Sequence, residues 1–211
     1  MNLTRYIIGV NKKQLNPSGK EFNMKTILKI ALVCALAASS VFASGRDRFK
    51  IPAYHYNGAD IIEGAVSDYV LSEFAPEDGV ADVSIPVVNV IAVDYSHEDE
   101  TLVWGSFWVF NYDLEGDTLV CTSGGEYPGL FRLERTEDGY EVKSFEMVAD
   151  GSKYTKSAKK IFGKFYGAFK MVEADTELRE KIRAKTIAKY VKAHDLAVTK
   201  YKDYGWEARS I

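Results

Sequence analysis

Leu102-Val103-Trp104-Gly105-Ser106-Phe107-Trp108-Val109-Phe110-Asn111-Tyr112 is the stretch on which the fold turns. Successive side chains of a strand point to opposite faces of its sheet. One alternate set here is Trp104, Ser106, Trp108, Phe110 and Tyr112, and the other is Val103, Gly105, Phe107 and Val109. Both sets are apolar. A strand of this kind belongs at the centre of a sheet, covered on both sides. Strand-like segments flank it at Ser84 to Tyr95, Thr118 to Thr122, Leu130 to Arg135 and Tyr140 to Val148. In the last but one, Arg132 and Glu134 alternate with Phe131 and Leu133, the pattern of a strand with one wet face.

The connections are short and rich in turn residues: Ser96 to Glu100, Asp113-Leu114-Glu115-Gly116, Ser123-Gly124-Gly125 and Glu137-Asp138-Gly139. Connections of this length join antiparallel neighbours, and no crossover helix separates the strands, so a five-stranded antiparallel meander is expected. Ahead of it, Asp60 opens a helix with Ile61, Ala65 and Tyr69, and beside them Ile62, Val66 and Val70, at helical spacing; Pro76 closes it. After it come two helices. The first carries the stripe Ile161, Phe165 and Phe169. The second is capped by Asp175 or Thr176 and carries Leu178, Ile182, Ile187, Tyr190, Val191 and His194. Val198 to Trp206 is an aromatic tail expected to pack back on the body. The fold class is α+β: an N-terminal helix on a curved meander, with two C-terminal helices.

One helix followed by a curved meander that wraps it resembles the cystatin-like and nuclear-transport-factor-2-like group of folds. The resemblance covers about Asn57 to Val148 and rests on the helix stripe and the two-faced strand around Trp104. It implies a small exported bacterial domain. It does not imply peptidase inhibition, because the Q-x-V-x-G hairpin of the inhibitory cystatins has no match here. Nor can the His–Asp or Tyr–Asp set of the related cone-shaped enzymes be assigned. The C-terminal helices are additional to that plan.

The N-terminal part reads as an address. From Met24 the chain runs MKTILKIALVCALAASSVFASG: Lys25 and Lys29 make a basic head, Ile30 to Ala38 is an uncharged apolar core, and Val41-Phe42-Ala43 supplies small residues for signal peptidase. A membrane-spanning helix needs about 20 apolar residues, and this run is shorter. The expected organisation is an upstream extension at 1–23, a signal peptide at 24–43, and one exported domain at 44–211, secreted or periplasmic. Six basic residues and one acidic residue leave with residues 1–43. That reduces 27 basic and 30 acidic residues to 21 and 29, a net charge of −8. Such a balance argues against nucleic acid as a partner, and no membrane insertion is expected once the signal is gone. Cys34 leaves too, so Cys121 has no partner for an intramolecular disulfide. The domain must hold together through its core, and thirteen Tyr, eleven Phe and three Trp supply the apolar area.

Candidate chemistry is sparse. His55, His97 and His194 have no metal-ligand spacing among them. The acidic runs Asp94 to Glu100 and Asp113 to Asp117 lack the register of a calcium loop and read as hairpin tips. Cys121 has no cationic neighbour in sequence to lower its pKa and reads as a small buried hydrophobe. The aromatic set Trp104, Trp108 and Tyr112 is either core, with the first helix as its cover, or the lining of a ligand pocket. Ser123 to Gly129 is either a tight turn into an edge strand or one lip of that pocket, which adds Glu126 and Tyr127. These five are the candidate ligand-binding residues. No catalytic residue, metal ligand or cofactor is assigned. The expected function is a non-catalytic binding module for a small molecule, peptide or envelope protein. A cone-fold isomerase or hydrolase using a cavity acid, and a structural partner subunit, are the alternatives, and a homodimer stays open.

Overall fold

The structure, a computed structural model, describes residues 51–77 and 79–211. The extension at 1–23 and the signal peptide at 24–43 lie outside the described residues. The chain is α+β with a mixed, open sheet, and the described residues form four α-helices and seven strands.

Helix α1 (Ile61–Phe74) begins where Asp60 accepts hydrogen bonds from the N–H groups of Ile62 (2.9 Å) and Glu63 (3.1 Å). This satisfies two donors that a first helical turn leaves without partners. It stops because Ala75 precedes Pro76 and is held extended (φ −70°, ψ 146°). The buried row is Ile62, Val66 and Val70, while Ile61 stays exposed.

Strands β1 (Val83–Asp94), β2 (Thr101–Glu115) and β3 (Thr118–Glu126) form two antiparallel hairpins, and β4 (Gly129–Thr136) with β5 (Gly139–Met147) forms a third. β2 is the central strand, buried at each of its first nine residues. One edge pairs with β1, with Val83 opposite Tyr112 and Asp94 opposite Leu102. The other edge pairs with β4 along Thr101 to Gly105 and with β3 along Trp108 to Glu115.

The expected meander needs three corrections. First, Ser123-Gly124-Gly125 is not a turn. Trp108 lies opposite Glu126 and Gly105 opposite Gly129, three residues on in both strands, so β3 and β4 continue in one register along β2. The Tyr127 N–H bridges the break by donating to the Phe107 carbonyl (2.7 Å). The glycines permit a bend with close backbone approach: a Cβ at Gly129 would lie 2.5 Å from the Glu146 carbonyl oxygen, and one at Gly124 2.8 Å from that of Val109. Secondly, the sheet is mixed, not antiparallel throughout. β6 (Lys200–Asp203) runs parallel to β3 and carries β7 (Arg209–Ser210) on its far side. Only part of the aromatic tail packs back, with Tyr201 buried while Tyr204 and Trp206 are exposed. Thirdly, three α-helices follow the hairpins, not two. Gly163, at φ 48°, breaks the expected Ile161–Phe165–Phe169 helix into α2 (Tyr154–Phe162) and α3 (Tyr166–Ala174). Phe162 still stacks on Phe169 with centroids 4.1 Å apart. Helix α4 (Thr176–Ala193) then starts at Asp175, whose carboxylate accepts from the Leu178 N–H.

The two faces of the sheet carry different helices. α1 seats on Val103, Phe107, Val109, Phe131 and Leu133. The opposite face is shared. α4 packs on the end containing Ile85, Tyr112, Leu119 and Tyr201, and α2 with α3 covers the end containing Leu102, Trp104 and Leu130. The Trp104–Trp108–Tyr112 face is therefore covered by the C-terminal helices and not by the first helix. Trp108, between the two covered ends, belongs to neither cluster. No helix among the described residues is long and apolar enough to cross a membrane.

Candidate ligand-binding cleft

A cleft bounded by β3, α4 and Asp203 is floored by the middle of β2. Trp108 and Phe110 come from that strand, Thr122 to Glu126 from β3, and Arg179, Glu180 and Arg183 from α4, together enclosing an open cleft of about 400 Å³. A second groove of about 780 Å³ runs on from it between the start of α4 and the C-terminal segment. It shares Arg179, Glu180 and Asp203 and has Trp206 at its rim.

Arg183 fixes the α4 wall. It is 1 % exposed, so its charge must find partners inside the protein. Its guanidinium lies 4.1 Å from the Phe110 ring centroid. Nε donates to the Tyr112 hydroxyl (2.7 Å), Nη2 to Asp203 Oδ1 (2.7 Å) and Nη1 to Glu180 Oε1 (3.5 Å). The other Glu180 oxygen accepts from Arg209 (2.7 Å). Burial works against the charge on Arg183, but its bonds to Asp203 and Tyr112 outweigh that and raise its pKa above the ordinary value. The same bond holds the Asp203 carboxyl below the usual carboxylate range. Burial pushes the Tyr112 phenol up, with Arg183 pulling the other way. Burial also raises the Cys121 thiol, which donates to the Ser123 carbonyl oxygen (3.3 Å).

A polar pair crosses β1 and β2 two residues before Trp108. Asn89 on β1 lies opposite Ser106 on β2. The Ser106 hydroxyl, fully buried, donates to Glu126 Oε1 (2.7 Å). The Asn89 side-chain nitrogen is buried with no hydrogen-bond partner among the described residues.

Two charges are left over once internal pairing is counted. Glu180, Arg183 and Asp203 neutralise one another, with help from Arg209. Glu126 has the Ser106 hydroxyl as its hydrogen-bond partner and forms no ion pair among the described residues. Arg179, on the facing helix, has neither a side-chain hydrogen bond nor an ion pair among the described residues. The cleft thus holds a carboxylate and a guanidinium that have no ion-pair partner among the described residues, beside Trp108 and Phe110.

Of the five sequence candidates, Trp108 and Glu126 are brought together, as directly opposed residues of β2 and β3. Tyr112 lies beneath the cleft as an anchor for Arg183. Trp104 belongs to the α2–α3 cluster, where its indole N–H donates to the Ile161 carbonyl (2.8 Å). Tyr127 turns to the other face and stacks on Phe74, centroids 3.8 Å apart. Arg179, Glu180, Arg183 and Asp203 were not found from sequence, because about fifty to eighty residues separate them from the strands they meet. Their one signal is an arginine, Arg183, four residues ahead of Ile187 on the buried side of a helix. No protein-family model matches the chain, and no curated protein and no solved structure gives a significant match.

Proposed function

We propose that the chain is an exported, non-catalytic binding module whose ligand occupies the cleft over Trp108 and Phe110. The observation that carries this is the pair of unspent charges, Glu126 and Arg179, presented from different elements into one cleft in which the other charged groups are neutralised. About 400 Å³ falls within the range of small-molecule sites, ~300–1,000 Å³. The raised pKa of Cys121 supports binding over thiol chemistry.

A thermal-shift panel of free amino acids, short peptides, sugars and small carboxylates tests the proposal. At least one class should raise the melting temperature of the wild-type chain, and the Glu126→Gln/Arg179→Gln double variant should lose that shift. A panel without effect, or a shift that survives in the variant, would overturn it.

Export is proposed from the leader alone, with a mature terminus at Ser44. Mass spectrometry of protein recovered from the envelope or medium checks it, and a terminus at Met1 or Met24 there would contradict it. The likeness to the cystatin-like and nuclear-transport-factor-2-like folds is proposed on the same footing. The seating of α1 on one face of the bent hairpins supports it, and β6, β7 and α2 to α4 are additions to that plan.

A further inference from the structure

The outer edge of β3 is interrupted. β6 covers it from Thr118 and ends with Asp203 opposite Cys121; β5 ends with Met147 opposite Gly129, on β4. Between these limits Thr122, Ser123, Gly124 and Glu126 are exposed. The direction of the backbone there follows from one bond. Tyr127 donates its N–H to Phe107, so it is a hydrogen-bonded position of the antiparallel ladder with β2. Such positions alternate. Gly125 and Ser123 therefore face β2 as Tyr127 does, and Glu126 and Gly124 turn their N–H and C=O groups outward. No strand among the described residues meets those groups. An unpaired edge is a template for another extended chain.

The surroundings suit such a chain. Gly124 and Gly125 present no side chains against an incoming backbone, and glycine inside a strand marks the place where another backbone comes close. The aromatic floor of the cleft adjoins the edge, and the two unspent charges stand at Glu126 and on α4 at Arg179.

We propose that the ligand is an extended peptide segment that adds to the Ser123–Glu126 edge as a short strand, with a basic side chain toward Glu126 and an acidic group toward Arg179. This rests on the cleft being the binding site and adds the class of ligand and the mode of recognition. Main-chain bonds would give affinity, and the cleft would read the side chains.

Calorimetry with the wild-type chain and blocked tetrapeptides tests it. The probes carry lysine at one end, aspartate at the other and valine-threonine between them, made in both orders. Alternate N–H groups of an extended peptide face opposite edges, so two doubly N-methylated isomers of the binding order separate the edges. One isomer should bind at least tenfold more weakly than the parent and the other should match it. No binding by either order, or equal behaviour of the two isomers, would overturn strand addition. If a panel compound still binds in a manner dependent on Glu126 and Arg179 while the isomers behave alike, the cleft stands and the peptide mode falls. Sedimentation showing self-association that the tetrapeptides do not relieve would assign the edge to a second copy of the chain and overturn the proposal as well.

Discussion

Asp203 is a solvent-facing partner of Arg183, with its side chain 48 % exposed. The bond from Arg183 lowers its pKa in the folded chain. A lowered folded pKa gives stability that is complete above the unfolded value, about 3.9, and that is lost as pH falls through the folded value. Asp203→Asn removes that contribution. The wild-type urea midpoint should therefore fall more steeply than the variant's between about pH 5 and pH 2, and parallel slopes would contradict the assignment. Solvent screening at a half-exposed carboxylate keeps the difference small. At this scale the sequence was legible where chemistry and position coincide. Trp108 and Glu126 share a face and a register, and both reach the cleft. Tyr127 does not, because consecutive residues of a strand point to opposite faces. That rule applies to Glu126-Tyr127 once the run is recognised as strand and not as turn.

Phe107 and Trp108 are neighbours on β2 with opposite surroundings. Phe107 is fully buried and meets Phe131 edge-on, centroids 4.8 Å apart, under α1. Trp108 is buried too, but it borders the open cleft beside α4. Phe107→Ala should cost about 3–5 kcal/mol, the full transfer and cavity penalty of a core aromatic ring. Trp108→Ala should cost less, because water and side chains can enter from the cleft, and it should abolish ligand binding. Urea melts of both variants check this, and an equal or larger loss for Trp108→Ala would return that ring to the core. Side-chain pattern located the first helix and every strand of the hairpins: apolar residues on both faces marked β2, and alternation marked β4. It missed β6, where Lys200 and Lys202 alternate with Tyr201 in four residues whose partner strand lies some eighty positions earlier. It also split β3 from β4 at the wrong place for a structural reason. Glycine and proline serve bends in a continuing strand as well as turns, and local sequence does not separate the two uses. Gly163 was the available sign of the break between α2 and α3.

For the molecule as a whole, a net charge of −8 for residues 44–211 says less than where the charges are spent. Glu180, Arg183, Arg209 and Asp203 neutralise one another, while in the same cleft Glu126 and Arg179 have no ion-pair partner among the described residues, and the proposal that a ligand meets them rests on that contrast. The three tryptophans report on this independently. Trp104 is tied to Ile161 under α2, Trp108 lies in the cleft floor, and Trp206 stands exposed at the rim of the adjoining groove. The most direct measurement is therefore the indole N–H region of a ¹H–¹⁵N spectrum during titration with the compound that gives the largest thermal shift. The Trp108 resonance should move in a saturable way while that of Trp104 stays in place, and the same titration of the Glu126→Gln/Arg179→Gln variant should leave Trp108 unmoved. A saturable shift confined to Trp206, or a Trp108 resonance indifferent to a compound that plainly binds, would place the ligand elsewhere and contradict the cleft as the functional site.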